Sequence, residues 1–157
     1  MCWIGKKVNL KKSDKPITVY KIMSKKGGVL RGPYYNMHDY TIGTTYEIKI
    51  KAHLLFEDKL MINAGYHSYS ANCRIRRKIY KTKNYEVLLI DSPTKMDINY
   101  FINIKKDNLP YVVVKCTIPA NTTYYENENG EIVSEKLMVN EEIKKLPANR
   151  LIKFEKL

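Results

Sequence analysis

The order of apolar and polar residues predicts a chain built mainly of short β-strands. Residues 17–23, 85–90 and 111–118 are rich in β-branched and aromatic side chains, which favour strands. Residues 44–50 alternate strictly between two faces, as a half-buried strand requires. Three consecutive valines within 111–118 indicate a strand that is buried on both sides. The pattern therefore predicts a β-sheet with at least one central strand.

Turn residues predict that several of these strands pair as antiparallel hairpins. Gly27-Gly28 follows the first strand, and Asn129-Gly130 lies between residues 122–126 and the return segments 131–134 and 136–139. Both dipeptides accept the positive φ angles of tight hairpin turns. An anion-binding backbone nest is the alternative for Gly27-Gly28. Residues 150–154 are predicted to form a final edge strand.

Other segments suit helices. Ser92-Pro93 is a good helix start, and the apolar residues that follow at 98, 101 and 102 share one helical face that ends near residue 107. Residues 52–60 have near-helical spacing, and 141–146 are predicted as a helical turn. Residues 71–80 fit a helix and a strand equally well. We therefore predict the α+β class, a mainly antiparallel sheet with one or two helices.

Length and cysteine content limit the possibilities further. The chain has 157 residues, which suits one domain at residues 16–157 after a basic lead-in at 1–15, where Trp3 is expected to dock on the body. Three cysteines without paired spacing argue against disulfides and for a reducing compartment. No apolar run is long enough to cross a membrane, and no secretory signal is evident. The expected location is the cytoplasm, with no membrane partner and no metal site.

Positive charge is concentrated in the first half of the chain. Residues 1–83 carry 18 basic and 5 acidic side chains, whereas residues 84–157 carry 10 and 11. A one-sided positive field attracts anionic partners. Lysine, asparagine, isoleucine and tyrosine are all abundant, so an AT-rich genome is an alternative cause of the total charge. Such a bias accounts less well for the asymmetry.

The segment 65–83, with the sequence GYHSYSANCRIRRKIYKTK, is the best candidate for a binding site. It contains Arg74, Arg76 and Arg77, three of the five arginines in the chain. Arginine forms paired hydrogen bonds with phosphate, and tyrosine rings such as Tyr66 and Tyr69 stack on nucleobases. A solvated basic face and rings packed in the core are the alternatives. Lys21 and Arg31, from the preceding strands, complete the predicted ligand-binding set, together with His67.

Three pieces of the chain carry a resemblance to known proteins. They are VYK at residues 19–21, AGYHSYS at 64–70 and VKCTIPANTTYYENENGEIVSEKLMV at 114–139. Together they resemble a group of small proteins of phages and mobile elements, which share a Gly-aromatic-His motif. The resemblance implies a phage-like source and a bacterial host cell, and does not imply a reaction.

The same layout is similar, more distantly, to the ADP-ribosyltransferase fold. That resemblance implies NAD as a cofactor, with Lys21 at the first-strand position and residues 67–70 at the central one. Glu131 would occupy the position that polarises the ribose, and His67 and Glu131 would be the catalytic pair. Lys21 departs from the pattern because lysine lacks the fork of arginine. Asn129, two residues before Glu131, also departs from it.

Three hypotheses follow from the sequence. The first is a non-enzymatic protein that binds a phosphate-rich ligand, a nucleotide signal of host defence or a nucleic acid, through a basic and tyrosine-rich face. The second is an ADP-ribosyltransferase-like enzyme that uses NAD or a nucleotide. The third is a structural or host-interaction protein whose charge is compositional. Ligand binding that depends on salt would separate the first from the third.

Overall fold

The computed structural model describes residues 3–6, 9–32, 38–83, 85–91, 99–104, 111–148 and 150–157, and for residues 99–104 it describes the backbone alone. Seventeen strands form within these residues. In chain order they are β1 (Trp3–Lys6), β2 (Leu10–Lys12), β3 (Ile17–Lys26), β4 (Val29–Arg31), β5 (Asp39–Tyr40), β6 (Thr45–Glu47), β7 (Lys51–Leu54), β8 (Lys59–Ala64), β9 (Tyr66–Ser70), β10 (Arg74–Tyr80), β11 (Tyr85–Asp91), β12 (Asn99–Ile104), β13 (Tyr111–Ile118), β14 (Thr123–Glu126), β15 (Glu131–Ser134), β16 (Lys136–Ile143) and β17 (Ile152–Lys153).

The predicted α+β class is wrong, because the described chain is almost entirely β. Its regular elements are strands, apart from short 3-10 segments such as Phe154–Lys156. The predicted helix after Ser92-Pro93 is replaced by β12 over residues 99–104, and its remaining positions lie outside the described residues. The ADP-ribosyltransferase-like fold was part of the same α+β prediction, so that part of the prediction is wrong as well.

One large antiparallel sheet organises the molecule. Its strand order is β2-β14-β15-β9-β3-β13-β16-β6, and β4 and β5 extend it from the far end of β3. β13 lies between β3 and β16, with Val114 opposite Lys21 on one side and Glu142 on the other. Val113 and Val114 are fully buried, which confirms the prediction that this strand is covered on both faces.

Alternate residues of the large sheet supply two separate cores. On β3, Val19 and Met23 pack in one cluster with Leu137 and Val139, whereas Tyr20 and Ile22 pack in the other. Side chains on a strand point alternately to opposite faces, so the sheet has a first face that carries Val19 and a second face that carries Tyr20. These names are used below.

Two smaller sheets cover the second face. The four-stranded sheet β12-β11-β10-β17 contributes Ile75, Leu88 and Ile90 to the core around Tyr20. The three-stranded sheet β1-β8-β7 contributes Trp3 and Ile62, which pack on Val133. The docking of Trp3 on the body is therefore confirmed, and the segment predicted as a lead-in contains β1 and β2.

The structure decides several local predictions. Residues 71–80 are a turn followed by strand β10, so the helix alternative is wrong. Residues 52–60 also form no helix: they contain the end of β7, a turn and the start of β8. Strand β16 continues through Ile143 where a helical turn was predicted. Both predicted hairpins are confirmed, with positive φ at Gly27, Gly28 and Gly130.

Candidate anion-binding surface

Strand β10 divides the arginine cluster between two faces. Ile75 is 1% exposed and faces the second-face core, so Arg77 and Ile79 point to the same inner side by alternation. Arg74 and Arg76 point to the opposite side, away from the large sheet. The three arginines therefore do not act at one point, although they are neighbours in the sequence.

The side of the four-stranded sheet that carries Arg74 and Arg76 is called here the outer face. Its further members on β10 and β11 follow from the register, which places Arg76 opposite Leu89 and Lys78 opposite Val87. The hairpin ends with Tyr80 opposite Tyr85, and these two rings stack with centroids 4.8 Å apart. Positive side chains and a stacked aromatic pair thus share one face of a single hairpin.

The charges on the outer face are only partly neutralised. Arg74 donates from Nη2 to Asp91 Oδ2 at 3.1 Å, across the register pair. Within the described part of the chain, Arg76 and Lys78 form no ion pair, and Lys78 lies 5.0 Å from the Tyr80 ring centre. Lys81 and Lys83 are exposed at the hairpin tip. The face therefore keeps a net positive charge close to aromatic rings.

Unsatisfied polar atoms occur on both sides of β10. Nε of Arg74, Arg76 and Arg77 and Oδ1 of Asp91 are buried atoms that have no hydrogen-bond partner among the described residues. Buried polar atoms in proteins are nearly always paired, and an exception indicates strain or a missing ion or ligand. Because Arg77 points to the inner side, these atoms do not by themselves locate a ligand on the outer face.

Arg77 lies in a different environment, at the seam between the two larger sheets. It lines a cleft of about 150 Å³ together with Glu86, Tyr111 and Glu142. Glu142 accepts from Lys25 at 2.7 Å, so this seam contains both signs of charge. The mixture fits an ion-pair seam between sheets better than an anion site.

Lys21 lies on the first face and is 8% exposed. Its Nζ donates to the carbonyl oxygen of His67 at 2.6 Å and lies 6.0 Å from the Tyr40 ring centre. Burial lowers the pKa of Lys21 to about 8, because the charged amine loses its hydration. The amine is thus held inside the protein by a backbone group.

An aromatic cluster begins beside this buried amine, at Tyr40. Tyr40 lies 5.2 Å from Tyr46 and 6.3 Å from Tyr66, and His38 lies 4.6 Å from both Tyr40 and Tyr46, all measured between ring centres. Burial raises the pKa of Tyr40, so its hydroxyl stays protonated at neutral pH. Lys21 with these four rings is called here the Lys21 site. Tyr66, predicted to stack on a ligand, belongs to it.

The remaining predicted residues are dispersed. Tyr69 pairs with Tyr20, so it points to the second face. His67 lies two residues before Tyr69 on β9 and therefore points to the same face, opposite to Tyr66. Tyr69 is 7% exposed and stacks on Phe154, with ring centres 6.3 Å apart. It is a core residue. Burial, and then Lys21, lower the pKa of His67 to about 4.

Arg31 and Glu131 lie apart from the arginines of β10. Arg31 is an exposed residue of β4 whose Nε donates to Asp39 Oδ1 at 2.6 Å. Glu131 pairs with Tyr69 in the register and shares the second face with His67, whereas Lys21 belongs to the first face. The three residues of the predicted transferase site therefore do not converge on one face of the sheet.

The two described cysteines are buried and free. Burial raises the pKa of Cys73 to about 11 and that of Cys116 to about 12, so both are protonated at neutral pH. Cys73 is close to three arginines in sequence, but its thiol donates to the carbonyl oxygens of Asn129 and Gly130. A reactive thiolate is not favoured at either position.

Sequence reasoning missed Tyr85 as a partner of the basic strand. The signal was available in the hairpin itself, because two strands joined by a short turn bring the residues beside the turn together. Assigning residues 71–80 to a strand would have placed Tyr85 opposite Tyr80. The same assignment would have separated Arg77 from Arg74 and Arg76.

The described residues contain no group of three or more histidine, cysteine or acidic side chains arranged to hold a metal ion. In the same part of the chain, no helix has the length and hydrophobicity needed to cross a membrane. No family model, curated protein or solved structure matches this chain.

Proposed function

We propose that the protein binds a phosphate-rich polymer, a single-stranded nucleic acid, through the outer face of the β10–β11 hairpin. The observation that carries the proposal is the alignment of Arg74, Arg76 and Lys78 on one face of β10, ending at the stacked rings of Tyr80 and Tyr85. Cations at alternate positions of a strand follow a phosphate backbone, and flat rings receive unpaired bases. Binding without turnover is proposed.

The linear arrangement of the cations favours a polymer over a small nucleotide. Arg74, Arg76 and Lys78 follow one another along a single strand, whereas the polar groups of a small-molecule site usually converge on one enclosed ligand. The outer-face cations of β10 are Arg74, Arg76 and Lys78, and the row continues to Lys81 and Lys83 at the tip. A single mononucleotide would use only part of this row, and an extended strand would use all of it.

The test is a titration with a fluorescently labelled single-stranded oligothymidine, followed by anisotropy at about 50 mM and about 200 mM salt. Five cations on and beside β10 are available for phosphate contacts. If all five are used, the logarithm of the binding constant falls with the logarithm of the salt concentration with a slope of about −3.5.

A double charge reversal locates the binding surface. Arg76→Glu with Lys78→Glu should weaken binding at least about a hundredfold, because two charge-assisted contacts are lost and replaced by repulsion. The matched control is Lys26→Glu with Lys49→Glu, which changes the net charge equally at exposed positions outside β10 and β11. Equal losses in the two double variants, or no binding by the wild type, would overturn the proposal.

A further inference from the structure

A second polar cleft lies where the three-stranded sheet meets the β14–β15 turn. Its volume is about 420 Å³, which is within the range of small-molecule sites. Three lysines (Lys6, Lys11 and Lys59) line it, along with polar side chains of the turn and of the segment before β2. The polar residues are Asn9, Glu126, Asn127, Glu128 and Asn129.

Two of the lysines face each other directly. Lys6 on β1 is opposite Lys59 on β8 in the antiparallel register, and both side chains line the cleft. Like charges at directly opposite positions repel and destabilise a strand pair. Neither lysine forms an ion pair with a residue that the structure describes, although Lys59 lies 5.3 Å from the Phe56 ring centre. A divalent anion between them would turn this repulsion into attraction.

The walls of the cleft are held in place. Asn127 Oδ1 accepts from the backbone N–H groups of Asn129 and Glu131, both at 3.0 Å, and its Nδ2 donates to the carbonyl oxygen of Ile4 at 3.2 Å. This side chain therefore fixes the turn and ties it to β1. Trp3 Nε1 donates to the carbonyl oxygen of Glu131 at 2.8 Å, which joins the same two walls again.

Two carboxylates also line the cleft. Glu126 accepts from Lys11 at 3.4 Å, so its charge is offset across the cleft. Glu128 lies on the turn itself. Carboxylates and amides beside a cationic pair suit a ligand that carries hydroxyl groups as well as a negative group, because both accept hydrogen bonds from hydroxyls.

We infer that this cleft binds the phosphate-monoester group of a small polyhydroxy compound, such as a sugar phosphate, between Lys6 and Lys59. The phosphate dianion bridges the two amines, and the polar side chains of the turn and of the segment before β2 contact the hydroxyl groups. The cleft is concave and short, so it takes a small molecule, whereas the cations of the outer face lie in a row that suits a polymer. The inference is independent of the proposed nucleic-acid binding.

Trp3 provides the readout. It is the only tryptophan in the chain, it is fully buried, and it packs so tightly against Gly5 that a Cβ atom at residue 5 would lie 2.1 Å from the ring. Gly5 lines the cleft, so the indole lies directly behind its wall. Ligand binding in the cleft is therefore expected to change the tryptophan fluorescence.

The experiment titrates ribose 5-phosphate, ribose and inorganic phosphate into the full chain, followed by tryptophan fluorescence and calorimetry. Ribose 5-phosphate is expected to bind with a dissociation constant below about 1 mM, and ribose is expected not to bind. Lys6→Gln and Lys59→Gln should each weaken binding at least about tenfold, because each removes a charge-assisted contact. Lys26→Gln is the matched control and should leave binding unchanged.

Thermal unfolding gives a second and opposite signature. Without phosphate and at low salt, Lys59→Gln should unfold at a slightly higher temperature than the wild type, because the repulsion with Lys6 is removed. With ribose 5-phosphate the order should reverse, since the ligand binds the wild type more tightly and therefore stabilises it more than the variant. Absence of binding, or equal binding by the wild type and both glutamine variants, would overturn the inference. The Arg76→Glu, Lys78→Glu variant should still bind ribose 5-phosphate, which separates this inference from the proposed function.

Discussion

Positive charge occurs in two contrasting environments in this protein. On the outer face, Arg76 and Lys78 are partly or fully exposed, lie in a row and border a stacked tyrosine pair. In the Lys21 site, a single amine is 8% exposed, hydrogen-bonds to a backbone carbonyl and lies 6.0 Å from the Tyr40 ring centre. Both environments combine cations with tyrosines, and the sequence alone suggests the same chemistry for both.

The two environments differ in how accessible their cations are and in how many cations each contains. A row of exposed cations contacts several phosphates at once and releases counterions, which gives strong and salt-dependent binding. A single buried amine has lost its hydration, and its hydrogen bond to a backbone carbonyl offsets only part of the desolvation free energy. The outer face is therefore suited to a ligand, whereas the Lys21 site makes its contacts inside the protein.

The largest effect that we expect concerns two tyrosines in these different settings. Tyr69→Ala should lower the free energy of unfolding by about 3–5 kcal/mol, because it removes a buried ring that stacks on Phe154. Tyr80→Ala should change it far less, because its ring lies at the hairpin end and is only partly buried. Urea denaturation of both variants measures the difference. Similar losses would mean that the Tyr80–Tyr85 pair is a core element.

The next largest effect that we expect is a loss of folding stability in acid, which is caused by His67. Its pKa is about 4 in the folded protein against 6.5 for the free side chain, so the unfolded chain binds more protons between these values. Stability should therefore fall as the pH drops from 6.5 to 4, by a total of about 3 kcal/mol from this group. His67→Gln should remove this part of the fall in urea denaturation at pH 7, 5 and 4. An unchanged pH profile would contradict the burial of His67.

Lys21 should make the folding stability depend on pH in the alkaline range. Its pKa of about 8 in the folded protein is lower than 10.5, so stability should rise between pH 8 and pH 10.5 as the buried amine loses its proton. Lys21→Met should abolish that rise and raise the free energy of unfolding at pH 7 by about 2 kcal/mol, because the desolvation cost exceeds the lost hydrogen bond. Oligothymidine binding should be unchanged. A large loss of binding would place the ligand in the Lys21 site instead.

The smallest effect separates stacking from charge on the outer face. Tyr80→Ala should weaken oligothymidine binding about tenfold, and Tyr80→Phe should preserve it, because stacking needs the ring and not the hydroxyl. The salt dependence should be the same in both variants, since neither removes a cation. Anisotropy titrations at two salt concentrations measure both quantities. Equal affinities for the Ala and Phe variants would exclude base stacking at Tyr80.

Sequence patterns predicted the central strands well because their side chains have one dominant requirement. Residues 111–118 form β13 with the predicted bounds, and residues 85–90 form most of β11. Continuous β-branched and apolar residues that are buried on two sides leave no competing structure. The Asn129-Gly130 turn was equally clear, because positive φ at Gly130 is a local property of the residue.

The predicted helices failed because the spacing of a few apolar residues is ambiguous in short segments. The helix prediction rested on apolar residues at positions 98, 101 and 102, but residues 99–104 pair with β11 as a strand. Residues 136–143 continue as β16 because β13 supplies a partner strand for them, across a bulge near Cys116. Tertiary pairing of this kind cannot be read from a local window.

The candidate site was predicted in part. The arginines of β10 were identified from composition, but their division between two faces depends on the strand assignment, which the sequence left open. Tyr69 and Tyr66 are two of the many tyrosines in the chain, and only the register shows that they point to opposite faces of the sheet. The cleft at Lys6 and Lys59 depends on pairing between residues more than 50 positions apart, so no local pattern indicates it.

Hydrogen–deuterium exchange with and without a saturating single-stranded oligothymidine tests the central claim most directly. The ligand is expected to slow exchange in peptides that cover β10 and β11, from Arg74 to Asp91, and to leave β3 and β5 unchanged. Protection at the β10–β11 hairpin that disappears in the Arg76→Glu, Lys78→Glu variant is the result that we predict. Protection centred on the Lys21 site, with no change at the hairpin, would contradict the account.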